Sequence, residues 1–141
     1  MRPRPAPVAH AYLDVSGSMS AALPALAAVL APLHRAGTLK LFVFSTVIDE
    51  VRPGDLGRQE LRNTGGTDIA CVLAHLAALP PRRRPRRTVI VTDGWVGQVP
   101  PTAFSDLHVE LFVGLWREPG MATTNDLAAA ARHVEQLPTP A

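Results

Sequence analysis

Short apolar runs alternate along this chain with segments of helical spacing, and this alternation limits the possible folds more than any other feature. The runs typical of strands are 8–15, 38–45, 47–51, 88–91 and 109–116. The segments typical of helices are 20–34, 69–79 and 125–137. Strands separated by helices pair in parallel through crossover connections. The chain is therefore predicted to form an α/β fold, with a doubly wound, mostly parallel sheet, one antiparallel edge strand and helices on both faces.

Proline and glycine mark the expected ends of the helices. Pro32 should kink or end the first helix, and Gly37 should stop it. A pair of prolines at 80–81 should end the second helix. The stretch 96–107 has too little helical pattern for a full helix, so a shortened or loop-like crossover is expected there.

Length and composition predict one domain over residues 8–137, with a flexible tail at 1–7 and another at 138–141. Hydrophobic residues make up 47% and charged residues 18%, which is typical of a compact soluble protein. A single cysteine, Cys71, excludes an internal disulfide and a cysteine-rich zinc site. The net charge of +2 is too small to require a nucleic-acid or membrane partner. With no signal-like start and no apolar run of about 18 residues, a cytoplasmic protein without a membrane partner is expected.

Polar residues cluster at three points where a strand or loop gives way to a helix or loop. The first cluster is Asp14, Ser16 and Ser18 directly after the first strand; the second contains Thr67, and the third contains Asp93. Ligands of open α/β sheets bind outside the carboxyl ends of the strands, where the strand order reverses. All three clusters are therefore expected at that edge.

The residue types in these clusters favour one class of metal. Two carboxylates and three hydroxyls are hard oxygen donors, which suit Mg²⁺, Mn²⁺ or Ca²⁺ and bind zinc or copper poorly. Residues 14, 16 and 18 alternate, so an extended turn can project them the same way, while Gly17 lets the backbone bend. Gly65 and Gly66 permit close approach of the backbone to the ion.

The motifs Asp-x-Ser-Gly-Ser, Gly-Gly-Thr-Asp and Thr-Asp-Gly, in this order, resemble the metal-ion-dependent adhesion site of von Willebrand factor A domains. The resemblance covers about residues 9–137 and is nearest to short intracellular bacterial members. It implies that Ser16, Ser18 and Thr67 contact Mg²⁺ through their hydroxyls, and that Asp14 and Asp93 act mostly through bound water. Such a poorly neutralised cation should attract a carboxylate from a partner.

The resemblance therefore implies a protein-interaction module and no enzyme, an adaptor in a larger assembly that can include an ATPase. Gly17, Gly66 and Trp95 are candidates for contact with the partner, although Trp95 is equally compatible with packing on the core. Structural roles compete with these assignments. Serines at 16 and 18 are also typical helix N-caps, and Asp68 is expected to cap the helix that follows it.

Five arginines stand close together between the second helix and the following strand. They are Arg82, Arg83, Arg84, Arg86 and Arg87. This loop should lie at the edge opposite the metal site. A solvated loop is the favoured interpretation, and binding of an acidic partner or a nucleic-acid backbone is the alternative.

Two other functions compete with metal-dependent protein binding. A metal-dependent hydrolase is disfavoured, because the Asp-x-Asp-x-Thr pattern of haloacid-dehalogenase phosphatases has Ser16 in place of its second carboxylate here. RNA binding would rest on the arginine loop alone, although RNA-binding proteins of the Ro family also carry such a domain. Cys71 and His75 are spaced i, i+4 but are expected to be ordinary helix residues, and the remaining histidines show no spacing that suggests a cluster.

Overall fold

The computed structural model describes residues 9–15, 23–52, 67–94, 96–116 and 126–136. These ranges contain six strands and two α-helices. In chain order they are β1 (Ala9–Asp14), α1 (Leu23–Arg35), β2 (Leu39–Phe44), β3 (Ile48–Glu50), α2 (Ala70–Ala78), β4 (Arg87–Thr92), β5 (Glu110–Leu115) and β6 (His133–Gln136). Two short 3₁₀ turns, Pro81–Arg83 and Ser105–Leu107, precede β4 and β5.

The six strands form one sheet in the order β3-β2-β1-β4-β5-β6. All neighbouring strands are parallel except β2 and β3, which pair antiparallel at one edge. From β1 the chain first moves outward to β2 and later returns to add β4 on the other side of β1. The strand order therefore reverses between β1 and β4, and their carboxyl ends form the crevice in which ligands of such sheets bind. The predicted mostly parallel sheet with an antiparallel edge strand is confirmed.

Alternate side chains of β1 enter two separate cores, because successive residues of a strand point to opposite faces. Tyr12 faces α2 and packs among Phe44, Leu76 and other buried side chains. Leu13 faces α1, in a smaller aliphatic core. One helix thus lies on each face of the sheet, as the sequence predicted.

Helix α1 ends in a Schellman motif three residues beyond Pro32. Gly37 has a φ of +74°, and its N–H donates to His34 O, while the N–H of Thr38 donates to Leu33 O. Gly37 stops the helix as expected, whereas Pro32 does not end it. Among the described residues, no helix is long and apolar enough to cross a membrane.

The segment predicted to be the last helix forms a strand instead. Residues 126–130 are turns, and His133–Gln136 pair in parallel with β5 as β6. Leu127 is fully buried in the core on the α2 face, and the N–H of Arg132 donates to Leu111 O at the edge of β5. The predicted helix over 125–137 is therefore wrong. The loop-like crossover expected at 96–107 is confirmed, since it contains only bends, turns, irregular backbone and the 3₁₀ turn Ser105–Leu107.

Candidate functional site

Asp14 is the last residue of β1 and stands at the point where the strand order reverses. Its relative exposure is 0%. The N–H of the next residue, Val15, donates to Phe44 O, so pairing with β2 continues past Asp14 and fixes its backbone. A carboxylate withdrawn from water in this way needs polar partners, because burying an uncompensated charge is very costly.

Hydroxyl groups from two other elements contact the two carboxylate oxygens of Asp14. Thr92, the last residue of β4, donates from Oγ1 to Asp14 Oδ2 across 2.8 Å. Thr67, just before α2, donates from Oγ1 to Asp14 Oδ1 across 3.5 Å, a long contact. The first and second polar clusters of the sequence therefore meet in space through Asp14 and Thr67.

The third cluster lies at the end of β4, immediately beside Asp14. Asp93 follows Thr92 directly and is half-buried. The N–H of Gly94 donates to Thr92 Oγ1 across 3.1 Å, so the same hydroxyl both donates to Asp14 and accepts from the loop. Gly94 has a φ of +99°, a conformation that favours glycine. Thr92 thus connects Asp14 to the turn that contains Asp93.

Backbone contacts position Thr67 at the amino end of α2. The N–H of Asp68 donates to Ser45 O after β2, and the N–H of Ile69 donates to Val96 O. Asp68 Oδ1 accepts from the N–H of Ala70 across 2.9 Å. Asp68 accepts the first N–H of α2 as expected, although Ile69 occupies the N-cap position, and the chain just after Thr67 is tied to two neighbouring loops.

Asp126 clamps the loop that follows Asp93, a role that the sequence did not suggest. Its Oδ2 accepts from the N–H groups of Val96 and Gly97, each across 3.0 Å, and its own N–H donates to Gly94 O. The sequence placed Asp126 only within the predicted helix 125–137. Nothing in its local pattern indicated a contact 30 residues away.

The candidate metal donors in the described part of the site are carboxylate and hydroxyl oxygens. Among the described residues, no three side chains of His, Cys, Asp or Glu come together as a possible metal cage. The carboxylate of Asp14 meets the hydroxyl of Thr67, and Asp93 stands one residue beyond the neighbouring strand β4. Hard oxygen donors of this kind fit Mg²⁺, Mn²⁺ or Ca²⁺ and suit a softer ion poorly. Ser16, Gly17, Ser18, Gly66 and Trp95 lie outside the described residues.

The arginine loop lies at the edge opposite Asp14, since it precedes β4 whereas Asp14 ends β1. Arg84 is used within the fold, because its guanidinium donates to the carbonyls of Leu76, Ala77 and Leu79 at the end of α2. Arg87 lies 3.9 Å from Glu110 across the strand pair. Arg82, Arg83 and Arg86 are exposed. The loop therefore caps a helix through one arginine and presents the others to solvent.

Two histidines meet at a buried tyrosine, although the sequence predicted no histidine cluster. Tyr12 OH is 3.1 Å from His10 Nδ1 and 2.7 Å from His75 Nδ1, beneath the ring of Phe42. Burial, assisted by His75 and Lys40, lowers the pKa of His10 to about 4. The only sequence signal was that His10 and Tyr12 share one face of β1, and their link to α2 is a contact over 63 residues.

The other titratable groups of this cluster are shifted mainly by burial. Burial raises the pKa of Tyr12, with a smaller effect from Cys71, and lowers the pKa of His75. Burial followed by the charge of Asp68 raises the pKa of the Cys71 thiol to about 11, so the thiol is neutral at physiological pH. The cluster thus consists of neutral polar groups that join β1 to α2.

Comparisons with known proteins identify the fold alone. No family model and no curated protein matches the chain. Two solved structures of proximal thread matrix protein 1 from the mussel byssus are similar, with TM-scores of 0.64 and 0.62 at 14% and 16% identity. They match 95% and 93% of this chain, which spans 43% of the length of each. The likeness is consistent with a doubly wound α/β fold of the von Willebrand factor A or Rossmann-like type.

Proposed function

We propose that this protein is a binding module that holds one divalent cation, Mg²⁺ or alternatively Mn²⁺ or Ca²⁺, at the carboxyl edge of its sheet. The cation would bind an acidic group of a partner protein. The observation that carries the proposal is the buried Asp14, whose two oxygens accept from the hydroxyls of Thr67 and Thr92 where the strand order reverses. By the sequence resemblance, Ser16 and Ser18 complete the set of ligands.

The physical support lies in the charge of the site. The hydroxyls of Thr67 and Thr92 are neutral, and a cation in front of Asp14 would compensate the charge of the buried carboxylate directly. Asp93, beside Thr92, would add a second carboxylate to the same ion. A cation held mainly by hydroxyls and water keeps most of its charge, so it attracts a carboxylate from outside.

Binding without turnover is part of the proposal. A hydrolase needs a positioned group that accepts a proton. Two further carboxylates lie near the loops of the site, but both already accept backbone N–H bonds: Asp68 from Ala70, and Asp126 from Val96 and Gly97. These two side chains therefore position the backbone. The sequence resemblance suggests that the protein acts as an adaptor in a larger assembly, which can include an ATPase.

Calorimetric titration of Mg²⁺ and Mn²⁺ into metal-stripped protein tests the site. We expect saturable binding of one ion, weakened by Asp14→Ala, Thr67→Ala and Asp93→Ala. Asp106→Ala is the matched control, because Asp106 lies in the turn before β5, at the opposite edge of the sheet. Circular dichroism of each variant establishes that the fold is retained. Equal affinity in wild type and all three site variants would refute the metal site.

The acidic ligand is tested separately with a pair of short peptides. One carries a single Glu side chain and the other carries Gln at the same position, with both termini blocked. We expect the Glu peptide to bind only when Mg²⁺ is present and the Gln peptide to bind under neither condition. Binding that persists in EDTA, or that does not distinguish Glu from Gln, would refute recognition through the ion. If the protein released inorganic phosphate from a generic phosphomonoester, the proposal that it binds without catalysing a reaction would be refuted.

A further inference from the structure

Helix α1 is apolar on every side. Residues 23–33 contain only Leu, Pro, Ala and Val, and the basic residues of the helix, His34 and Arg35, are confined to the last turn. One side, with Leu26 and Leu30, packs on the core. On the other side Val29 is 69% exposed and Leu33 is 47% exposed. A helix at a protein surface usually carries a polar outer side, and a helix that is apolar all round is typically covered all round.

The face of the sheet that carries α1 is only half covered by the described residues. Helix α1 packs over the β1–β2 half. Over β4, β5 and β6 the same face forms an open depression of about 370 Å³. Its floor contains Ala9, Val89, Phe112 and Gly114, and charged side chains of β4 and β6 stand at its rim. An apolar helix and an apolar groove therefore lie side by side on one face.

We propose that two copies of this chain form a two-fold dimer in which α1 of each copy fills the depression of the other. A two-fold axis parallel to the strands, between the two facing sheets, exchanges the left and right halves of the sheet and preserves strand direction. The helix over β1 and β2 of one copy then lies over β4 and β5 of the other. Such an interface uses the same surface twice, as a closed dimer requires.

In this arrangement the two α1 helices lie side by side in one layer between the two sheets. Helices pack at about 8–10 Å, so each α1 would contact its own sheet, the other sheet and the other α1. This accounts for the apolar residues on all sides of α1, including the exposed Val29 and Leu33. The dimer also covers the apolar side chains of Val89 and Phe112, and an apolar helix buries them more favourably than a polar partner would.

The charges at the end of α1 fit the same axis. Helix α1 ends at the amino edge of the sheet, where β2 begins, and Glu110 begins β5 at that edge. An axis parallel to the strands keeps this edge in place, so Arg35 of one copy faces Glu110 of the other. The carboxylate of Glu110 is half-exposed and only 3.9 Å from Arg87, so it has room for a second cation. Helix α1 carries no acidic residue that would oppose this pairing.

The surface available is sufficient for a stable dimer. A helix of 13 residues is about 20 Å long, and a strip about 10 Å wide gives each contact a footprint of roughly 200 Å². Two such contacts, counted on both copies, cover about 800 Å². A strip of the same size between the two helices adds about 400 Å², which brings the total to about 1,200 Å², the lower limit for specific interfaces.

Sedimentation equilibrium from about 1 to 100 μM, in EDTA, tests the dimer independently of any metal. We expect wild type at twice the chain mass of 15.1 kDa, and Val29→Glu and Leu33→Glu at the monomer mass, with dissociation constants raised at least 100-fold. The exposure of Val29 means that its replacement does not disturb the core. Ala74→Glu, on the exposed side of α2 and therefore on the other face, is the matched control and should remain dimeric.

A charge exchange tests the orientation. Arg35→Glu and Glu110→Arg should each weaken the dimer about 10-fold, and the double variant should regain most of the loss. A wild-type protein that is monomeric at 100 μM would overturn the proposal. A dimer that Val29→Glu leaves intact, or a double variant no tighter than either single one, would overturn the arrangement.

Discussion

Two threonines on the same face of β4 provide a controlled test of the hydrogen bonds around Asp14. Thr88 and Thr92 both have 0% exposure and are four residues apart. Thr92 Oγ1 donates to Asp14 Oδ2 and accepts from the N–H of Gly94. Thr88 Oγ1, in contrast, has no hydrogen-bond partner within the described part of the chain. Replacement by valine keeps the shape and removes the hydroxyl in both cases.

The expected effects have opposite signs. In Thr92→Val the lost bond to the Asp14 carboxylate costs about 1.5–3 kcal/mol, and the orphaned N–H of buried Gly94 costs about 1–3 kcal/mol more. We expect Thr92→Val to lower the free energy of unfolding by about 3–4 kcal/mol. Thr88→Val removes a buried hydroxyl that already lacks a partner, so it should be neutral or stabilising by up to about 1 kcal/mol.

Equilibrium unfolding in urea measures both variants, with EDTA present so that metal binding does not contribute. With a slope of about 2 kcal/mol per M, a difference of about 4 kcal/mol separates the two midpoints by about 2 M. A repeat in Mg²⁺ should show a further loss for Thr92→Val, because groups that orient a metal ligand contribute about 10–100-fold to affinity. Equal shifts of the two midpoints, or a larger loss for Thr88→Val, would refute the reasoning.

Three further predictions concern other parts of the molecule. Burial holds the pKa of His10 at about 4, so as the pH falls the unfolded chain binds the extra proton before the folded one does. The free energy of unfolding should therefore fall by on the order of 3 kcal/mol as the pH drops from about 6.5 to about 4. Unfolding titrations at each pH should show that His10→Gln loses most of this pH dependence. Asp126→Ala removes the acceptor of the Gly97 N–H, so hydrogen exchange at that amide should accelerate at least ~10-fold, and an unchanged rate would exclude the clamp. Arg84→Ala should lower the free energy of unfolding by about 1–2 kcal/mol, because carbonyls at the end of α2 lose their donor, whereas the exposed Arg83→Ala should change it by less than about 0.5 kcal/mol; similar losses for both would contradict the capping role.

The sheet was predictable wherever local pattern and tertiary pairing agree. The run 38–45 is rich in β-branched, aromatic and other apolar residues, and it forms β2 between the parallel strand β1 and the antiparallel strand β3. The helical spacing over 69–79 is followed closely by α2, because its apolar side meets the core at Val72 and Leu76. Turn chemistry was equally informative at Gly37, where the positive φ of a helix C-terminus favours glycine.

The last element was predicted wrongly because tertiary contacts outweigh helix propensity there. The alanine-rich stretch 127–131 has high helix propensity, yet a helix would leave the edge of β5 unpaired. Pairing His133–Gln136 with β5 satisfies that edge, and Leu127 gains complete burial. Asp126 is then free to accept from the loop 96–97. None of these long-range gains is visible in a local window of sequence.

The candidate site was likewise predictable from the sequence only in part. Strand order brings Asp14 and the end of β4 together, and the sequence predicted this from the position of each residue after a strand. The role of Thr92 was not predicted, since a threonine in a β-branched run is typical of strands and carries no other signal. The contact of Tyr12 with His75 was missed for a related reason, because it depends on the packing of α2 over β1.

Paramagnetic broadening by Mn²⁺ in amide NMR spectra tests the metal site most directly, because it reports position as well as binding. The carboxyl and amino edges of the sheet are separated by about 16 Å along a strand such as β1. We expect substoichiometric Mn²⁺ to broaden the amides of Val15, Thr67 and Gly94 first, to spare those of Arg84 and the other residues at the amino edge, and to be displaced by Mg²⁺. Broadening that begins at the amino edge, or is absent at a full equivalent of Mn²⁺, would contradict a metal site at Asp14.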